Sequence, residues 1–220
     1  MNLDAAVTRC AYVVDKALKS TFPDNFFARC MYASYGTQYI MEKLGFETRI
    51  VIGSFGMFLV SEDGKRATAE GYGGPGSENS HFWCVVRNRI LDVCSPYLAE
   101  NGVFSKAKPP IIFWPIEREM PRCFRYYYGG DLNPRSPETY DPEMQIRLKK
   151  FIQACDDRLA SVKGQPKLSN WFLSDVGSLR RAGRKGDAWA SAAIRLEAGE
   201  GQLNFKSMLF HGDLNEKIPI

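Results

Sequence analysis

The hydrophobic spacing of this sequence changes at Glu47, where a helical pattern gives way to a run of strands. Between residues 3 and 20, apolar side chains recur every three or four positions, which is typical of an amphipathic helix. A second helix is predicted to begin after Asp24 or Asn25, either of which can serve as its N-cap, and to end at Gly45. The first part of the chain is therefore expected to form two consecutive helices.

Beyond Glu47, short apolar segments separated by turn residues predict strands. The predicted strands cover residues 48–53, 57–60, 81–86, 89–94, 111–114 and 124–128. A glycine-containing turn is expected between the first two, and the glycine-rich stretch 71–77 is expected to form a loop that ends just before His81. These segments predict a sheet that follows the two helices.

Helical spacing returns after a proline-rich stretch at residues 134–142. The predicted helices cover residues 142–162, 169–183 and 187–198. We interpret the chain as a single α+β domain over residues 1–220, with a core over about 1–133 and a helical extension over about 142–220.

Composition narrows the class of protein. The chain has 220 residues, 45% hydrophobic and 25% charged, as expected of a globular protein. Its net charge is +4, and its most basic stretch, Leu179–Lys185, has no interleaved aromatic residues, so no nucleic-acid partner is predicted. No segment has the apolar length needed to span a bilayer, and the N-terminus lacks a signal-peptide pattern. We therefore expect a cytoplasmic protein with no membrane partner.

Cysteine usage fits a reducing compartment. The six cysteines are scattered and contain no Cys-x-x-Cys pair, which predicts mostly buried, reduced thiols. With only two histidines, His81 and His211, and no paired ligand spacing, no metal site is predicted. His211 is interpreted as a surface or packing residue, although it could serve as an alternative base.

The residue types that activate a cysteine nucleophile occur in the order thiol, imidazole, carboxylate. Cys30 lies near the start of the second helix, where unpaired backbone N–H groups and the helix dipole favour an anion. His81 begins a predicted strand, and Asp92 interrupts the apolar run of the next strand. A carboxylate inside an apolar run is costly without a partner, which predicts that Asp92 pairs with His81.

The pairing depends on the hairpin register. If the chain turns tightly on Arg87-Asn88, Val86 pairs with Arg89 and His81 falls opposite Cys94. Asp92 then lies diagonal to His81, with Trp83 on the same face and the backbones roughly 7–8 Å apart. Cys94 would be a second thiol beside the site, either inert or sensitive to oxidation.

The helix that carries Cys30 and ends at Gly45, the strand Thr48–Gly53, the segment His81-Phe82-Trp83 and Asp92 together resemble the transglutaminase-like branch of the papain-like cysteine-enzyme superfamily. Bacterial transglutaminase-like peptidases and arylamine N-acetyltransferases show a similar order. The chain is also similar to an uncharacterised bacterial family with a papain-like fold. The resemblance covers about residues 28–97.

The resemblance implies a nucleophile helix packed on an antiparallel sheet, with Cys30 as nucleophile, His81 as general base and Asp92 as its orienting partner. Where papain-like proteases place a glutamine as oxyanion donor, this chain offers Asn25, and Trp83 is expected to line the cleft. The spacing from His81 to Asp92 is shorter, and that from Cys30 to His81 longer, than in many transglutaminase-like enzymes.

The expected function is a cysteine hydrolase or acyltransferase. It would act on the amide, ester or thioester of a peptide or small-molecule acyl substrate through an acyl-enzyme, with no cofactor or metal. The alternative is a catalytically silent papain-like binding or scaffold protein. A third hypothesis, an acetyltransferase that uses an acyl-CoA donor, lacks a phosphate-cradling loop, because Gly71–Gly76 is not followed by Lys-Ser or Lys-Thr.

Overall fold

The computed structural model describes residues 1–24, 29–73, 81–98, 106–132 and 140–200. It is an α+β structure built around one mixed sheet. The helices are α1 (Leu3–Thr21), α2 (Cys30–Lys43), α3 (Pro142–Ser161), α4 (Val176–Arg184) and α5 (Ala188–Glu197). The strands are β1 (Thr48–Val60), β2 (Ala67–Tyr72), β3 (His81–Val86), β4 (Arg89–Asp92), β5 (Ile111–Pro115), β6 (Phe124–Leu132) and β7 (Phe172–Leu173).

The first helix forms as its spacing predicts. Asn2 caps α1 by accepting a hydrogen bond from the backbone N–H of Ala5 at 2.9 Å, which satisfies one of the unpaired donors at the helix start. The apolar face of α1, which includes Val7, Cys10 and Val14, is buried. The second helix begins later than expected, since Arg29 is its N-cap and Asp24 lies outside it.

The first strand differs from the prediction. The segments 48–53 and 57–60 belong to one continuous strand, β1, rather than to two strands with a turn between them. The glycine at the expected turn, Gly53, instead faces an irregularity in β6, where the register shifts between Ile52 and Gly53. Glycine here makes room for the neighbouring strand instead of breaking the chain, because a Cβ on Gly53 would lie 2.0 Å from the carbonyl oxygen of Tyr127.

The strand β1 pairs with three other strands of the sheet. Its first half pairs with β3 and its second half with β2, while β6 runs antiparallel along the other edge. The order continues from β3 through β4 and β5 to β7, and only the last pair is parallel. The short strand β7 was expected to be helix, and β2 was not anticipated.

The hairpin β3–β4 has the expected register. Val86 pairs with Arg89 and Cys84 pairs with Leu91, which leaves Arg87 and Asn88 as a two-residue turn. Both turn residues have positive φ (49° and 56°), as the tight hairpin turn that matches strand twist requires. The ladder ends before Cys94, which lies in a bend after β4 and not opposite His81.

Helices cover both faces of the sheet. Alternate residues of β3 face two separate apolar clusters, with Cys84 and Val86 in one and Trp83 and Val85 in the other. The first cluster contains buried residues of α1, α2 and α3, and the second contains buried residues of α4 and α5. Within the described ranges, no helix is long and apolar enough to cross a membrane.

Candidate functional site

The helix α2 places Cys30 at its first position. Arg29, just before it, has φ −98° and ψ 34°, outside the helical range, so Cys30 is the first helical residue. The Arg29 guanidinium lies over the rings of Phe22 and Tyr32, 4.9 and 5.7 Å from their centroids, and so packs the start of α2 against the end of α1. The Cys30 side chain is partly buried, beside N–H groups that have no partner inside the helix.

The strands β3 and β4 bring His81 and Asp92 into direct contact. His81 Nε2 lies 2.7 Å from Asp92 Oδ2, and the two side chains are 0% and 1% exposed. Because the hairpin has the predicted register, Asp92 lies on the same face as His81 and one step along the neighbouring strand. The structure thus joins these two residues as their spacing predicts.

The Asp92 carboxylate accepts four hydrogen bonds. Its Oδ1 accepts from the backbone N–H groups of Cys94 and Ser95, at 2.9 and 3.0 Å. Its Oδ2 is shared by the His81 ring and by the Tyr126 hydroxyl, which donates at 2.7 Å. All four partners donate to the carboxylate oxygens, so the geometry directs the acceptor atoms of Asp92 toward the His81 ring and three further donors.

Burial by itself lowers the pKa of His81, since it disfavours the charged ring. The Asp92 carboxylate raises this pKa through its charge and its hydrogen bond, and the neighbouring Cys30 side chain raises it further. The two residues outweigh the effect of burial, and the pKa of His81 is raised to about 10. The ring is therefore an imidazolium near neutral pH. The interaction with Cys30 also shows that the thiol lies within electrostatic reach of the ring.

The two ring nitrogens of His81 have different surroundings. Nε2 is occupied by Asp92, whereas Nδ1 is buried and forms no aligned hydrogen bond in the described part of the chain. Nδ1 is thus the nitrogen left to face the Cys30 thiol. Catalytic pairs are commonly long or poorly aligned before a substrate binds, so this geometry is compatible with a resting pair of Cys30 and His81.

Aromatic rings hold the imidazole in place. The Phe55 ring lies 4.6 Å from that of His81, and the Trp83 ring lies 5.9 Å away and nearly parallel to it. Trp83 is 0% exposed, so it lacks the accessible position expected of a residue lining a cleft. The reason is that its face of the sheet is covered by the second apolar cluster, and Trp83 supports His81 from within the protein.

Cys94 lies near the site although it is outside the ladder. Its backbone N–H binds Asp92, and its side chain is buried in the cluster against which Cys30 packs. Burial and the nearby Cys30 and Asp92 raise the pKa of the Cys94 thiol well above its ordinary value. Cys94 is therefore a neutral neighbour, and Cys30 is the more accessible of the two thiols.

Several expected features lie outside the described residues. They are Asn25, the expected oxyanion donor, most of the glycine-rich loop and His211. Among the described residues, no group of three His, Cys, Asp or Glu side chains could hold a metal ion.

Tyr126 is the site residue that sequence reasoning missed. It lies in the run Tyr126-Tyr127-Tyr128, which is predicted as a strand, but nothing in that run distinguishes one tyrosine from another. Only the pairing of β6 with β1, which sets Tyr126 opposite Phe55, brings its hydroxyl to Asp92.

Comparisons with protein-family models, with curated proteins and with solved structures find no match for this chain. The fold and site define an α+β protein with a partly exposed cysteine at a helix start and a buried histidine–carboxylate pair beside it.

Proposed function

We propose that this protein is a cysteine hydrolase or acyltransferase with a papain-like, transglutaminase-like fold that forms an acyl-enzyme on Cys30. The observation that carries the proposal is the buried pair of His81 and Asp92, 2.7 Å apart, whose free ring nitrogen is left for the Cys30 thiol. A nucleophile, a base and a group that orients the base are the parts that covalent acyl transfer requires.

The energetics of the pair support a functional role. Burying a charged pair costs several kcal/mol of desolvation, and apolar residues of similar size often give equal or greater stability. Here Asp92 and His81 are almost fully buried, and one ring nitrogen has no aligned partner. A structural ion pair has no need of an unsatisfied nitrogen beside a thiol, whereas a general base does.

The chemistry would proceed in two stages. Before substrate binds, the Cys30 proton already lies on His81 Nδ1, so that the sulfur is a thiolate beside an imidazolium. The thiolate attacks the substrate carbonyl carbon, a C–S bond forms and the carbonyl π electrons move to oxygen. N–H groups of the first turn of α2 stabilise that oxyanion. The intermediate then collapses, the bond to the leaving group breaks, and the imidazolium returns its proton to that group.

In the second stage, water or an amine attacks the thioester carbonyl carbon and His81 accepts the proton of the attacking group. The C–S bond then breaks, the acyl product leaves, and the Cys30 sulfur is released as a thiolate beside the His81 imidazolium. Asp92 accepts the hydrogen bond of Nε2–H throughout, which fixes the ring orientation and leaves Nδ1 to exchange the proton. Transfer to water makes the protein a hydrolase, and transfer to an amine makes it an acyltransferase.

The acyl-enzyme can be tested with p-nitrophenyl acetate as an activated acyl donor. We expect a burst of p-nitrophenol and a stable acetyl mass increase on the peptide that contains Cys30. The His81→Ala variant should lose the burst, since the nucleophile then has no base. Cys155→Ala is a suitable control, because Cys155 is a fully buried thiol on α3.

Two outcomes would count against the proposal. One is acetylation distributed over several cysteines with no dependence on His81. The other is a folded wild-type protein that shows no acylation of Cys30 with p-nitrophenyl acetate, a thioester or a peptide amide, which would favour the silent scaffold. If Cys30 is acylated, its rate of deacylation in water compared with that in added aryl or alkyl amine separates hydrolase from acyltransferase.

A further inference from the structure

The side chain of Tyr126 contacts Asp92, although it is not one of the three proposed catalytic residues, Cys30, His81 and Asp92. Its hydroxyl donates a 2.7 Å hydrogen bond to Asp92 Oδ2, the same oxygen that binds His81 Nε2. The other carboxylate oxygen is occupied by backbone donors. Tyr126 and His81 therefore share one acceptor atom, Asp92 Oδ2.

The surroundings keep Tyr126 in this role. Its ring packs edge-on against Trp83, with centroids 5.1 Å apart, and lies 4.7 Å from Phe55. Both of these rings also contact His81, so the tyrosine and the imidazole share one aromatic support. Burial and the neighbouring carboxylate raise the pKa of Tyr126 well above its ordinary value, so the hydroxyl stays protonated and donates across the working pH range.

We infer that Tyr126 is a positioning residue that tunes the basicity of His81 through Asp92, an inference that rests on the proposed cysteine chemistry. A donor on Oδ2 withdraws part of the carboxylate charge from the shared oxygen. The imidazolium is then stabilised less than by a carboxylate whose oxygen binds His81 alone. Without this donor His81 would hold its proton too tightly to return it to the leaving group, since a general acid or base works best when its pKa is near the operating pH.

The test measures the His81 titration directly. The full-length chain is labelled with 15N-histidine in a Cys30→Ala background, which removes the thiol that would titrate together with the ring. The chain has two histidines, and the His81→Ala variant assigns their signals. The Tyr126→Phe variant, which keeps the ring and removes the hydroxyl, should move the His81 midpoint upward by about half a unit to one unit, a fraction of what a hydrogen bond to a charged group supplies.

The matched control is Tyr128→Phe, which removes a hydroxyl two residues along the same strand and should leave the midpoint unchanged. A purely structural Tyr126 would lower the melting temperature and leave the His81 midpoint at its original value, and that result would overturn the inference. If Tyr126→Phe fails to fold, site-specific incorporation of 3,5-difluorotyrosine at position 126 provides a stronger donor. It should move the midpoint downward, and an unchanged or raised midpoint would equally overturn the inference.

A second readout uses the chain with Cys30 intact. There Tyr126→Phe should slow acylation by a peptide amide, whose amine leaving group needs the His81 proton, on the order of tenfold, the lower end of the loss expected for a hydrogen bond to a charged group. Acylation at the wild-type rate, with Tyr126→Phe folded, would contradict the inference. Because the titration is done without Cys30, a shifted midpoint in a protein that never acylates would refute the proposed function and leave the coupling of Tyr126 to His81 intact.

Discussion

At the scale of single residues, Asp92 explains why the site is where it is. It is the last residue of β4, and its Oδ1 accepts from the backbone N–H groups of Cys94 and Ser95, at the start of the short 3-10 helix Ser95–Tyr97. Its other oxygen, Oδ2, is left to bind His81 and Tyr126. Asp92 therefore both stabilises the turn after β4 and binds His81, because each role uses a different oxygen.

The protonation of His81 predicts a pH dependence of stability. In the Cys30→Ala variant, the ring is protonated in the folded state up to a pKa that Asp92 raises, whereas in the unfolded chain a histidine titrates near 6.5. The contribution of His81 is complete below pH ~6.5 and is lost as the pH rises through the folded-state pKa. Urea unfolding should therefore show a free energy of unfolding that falls by at most about 1.4 kcal/mol per pH unit between pH 6.5 and 8.

The wild-type chain should behave differently over the same range. If Cys30 has given its proton to His81, the folded pair binds one proton, as many as the unfolded thiol and neutral ring together, so the slope between pH 6.5 and 8 should be close to zero. Adding His81→Gln to Cys30→Ala should remove the slope seen in the single variant, and adding His211→Gln should not remove the His81 contribution. Equal slopes in the wild type and in Cys30→Ala would contradict the proposed proton transfer.

At the scale of elements, the antiparallel pairing of β1 with β6 brings Tyr126 to the site. The irregularity opposite Gly53 sets the register by which Tyr126 lies opposite Phe55, and Gly53 itself pairs with His81 on the other edge of β1. A Cβ on Gly53 would lie 2.0 Å from the Tyr127 carbonyl oxygen and 2.8 Å from the Trp83 ring. The strand therefore has no room for a side chain at this point.

Gly53→Ala should consequently destabilise the protein by about 2–4 kcal/mol, as expected when backbone and a packed ring must shift together. The control is Ser54→Ala, at the next position, where a Cβ is already accommodated and a change within about 1 kcal/mol is expected. Urea unfolding monitored by tryptophan fluorescence measures both. A Gly53→Ala variant as stable as Ser54→Ala would show that β6 can move away at no cost.

The elements also show what local sequence can predict. The helices α1, α3 and α5, the strands β3–β5 and the Arg87-Asn88 turn follow from spacing and turn chemistry, and that turn places Asp92 beside His81. Gly53 could not be interpreted locally, because a glycine looks the same whether it breaks a strand or clears space for a neighbour. The start of β6 was predicted, but its partner β1 is some seventy residues away in the sequence, so Tyr126 could not be assigned to the site.

At the scale of the whole molecule, the helices after residue 142 pack on both faces of the sheet. Phe151 and Cys155 of α3 are buried with α1 and α2, on the face that carries Cys30. Trp189 of α5 is buried on the other face, where its Nε1 donates to the carbonyl of Phe58 at 2.9 Å and its ring contacts that of Phe124. The core that supports His81 and Tyr126 therefore includes α5.

Trp189→Ala should cost about 3–5 kcal/mol of unfolding free energy, the range found for truncating a large buried aromatic residue. The matched control is Trp171→Ala: Trp171 is only partly buried, so a smaller loss is expected. Differential scanning calorimetry would compare the two. A Trp189→Ala loss no larger than that of an ordinary surface substitution would show that α5 contributes little to the core behind the site.

The central claim is that Cys30 and His81 form a thiolate–imidazolium pair, and the rate of Cys30 alkylation by iodoacetamide between pH 4 and 9 tests it most directly. Peptide mass mapping follows Cys30 alone, in the wild type and in His81→Ala. The account predicts that wild-type Cys30 reacts well below the pH range of an ordinary thiol, whose pKa is near 8.5, and that His81→Ala loses this advantage. A Cys30 that reacts only near pH 8.5 and above, equally fast with and without His81, would contradict the account.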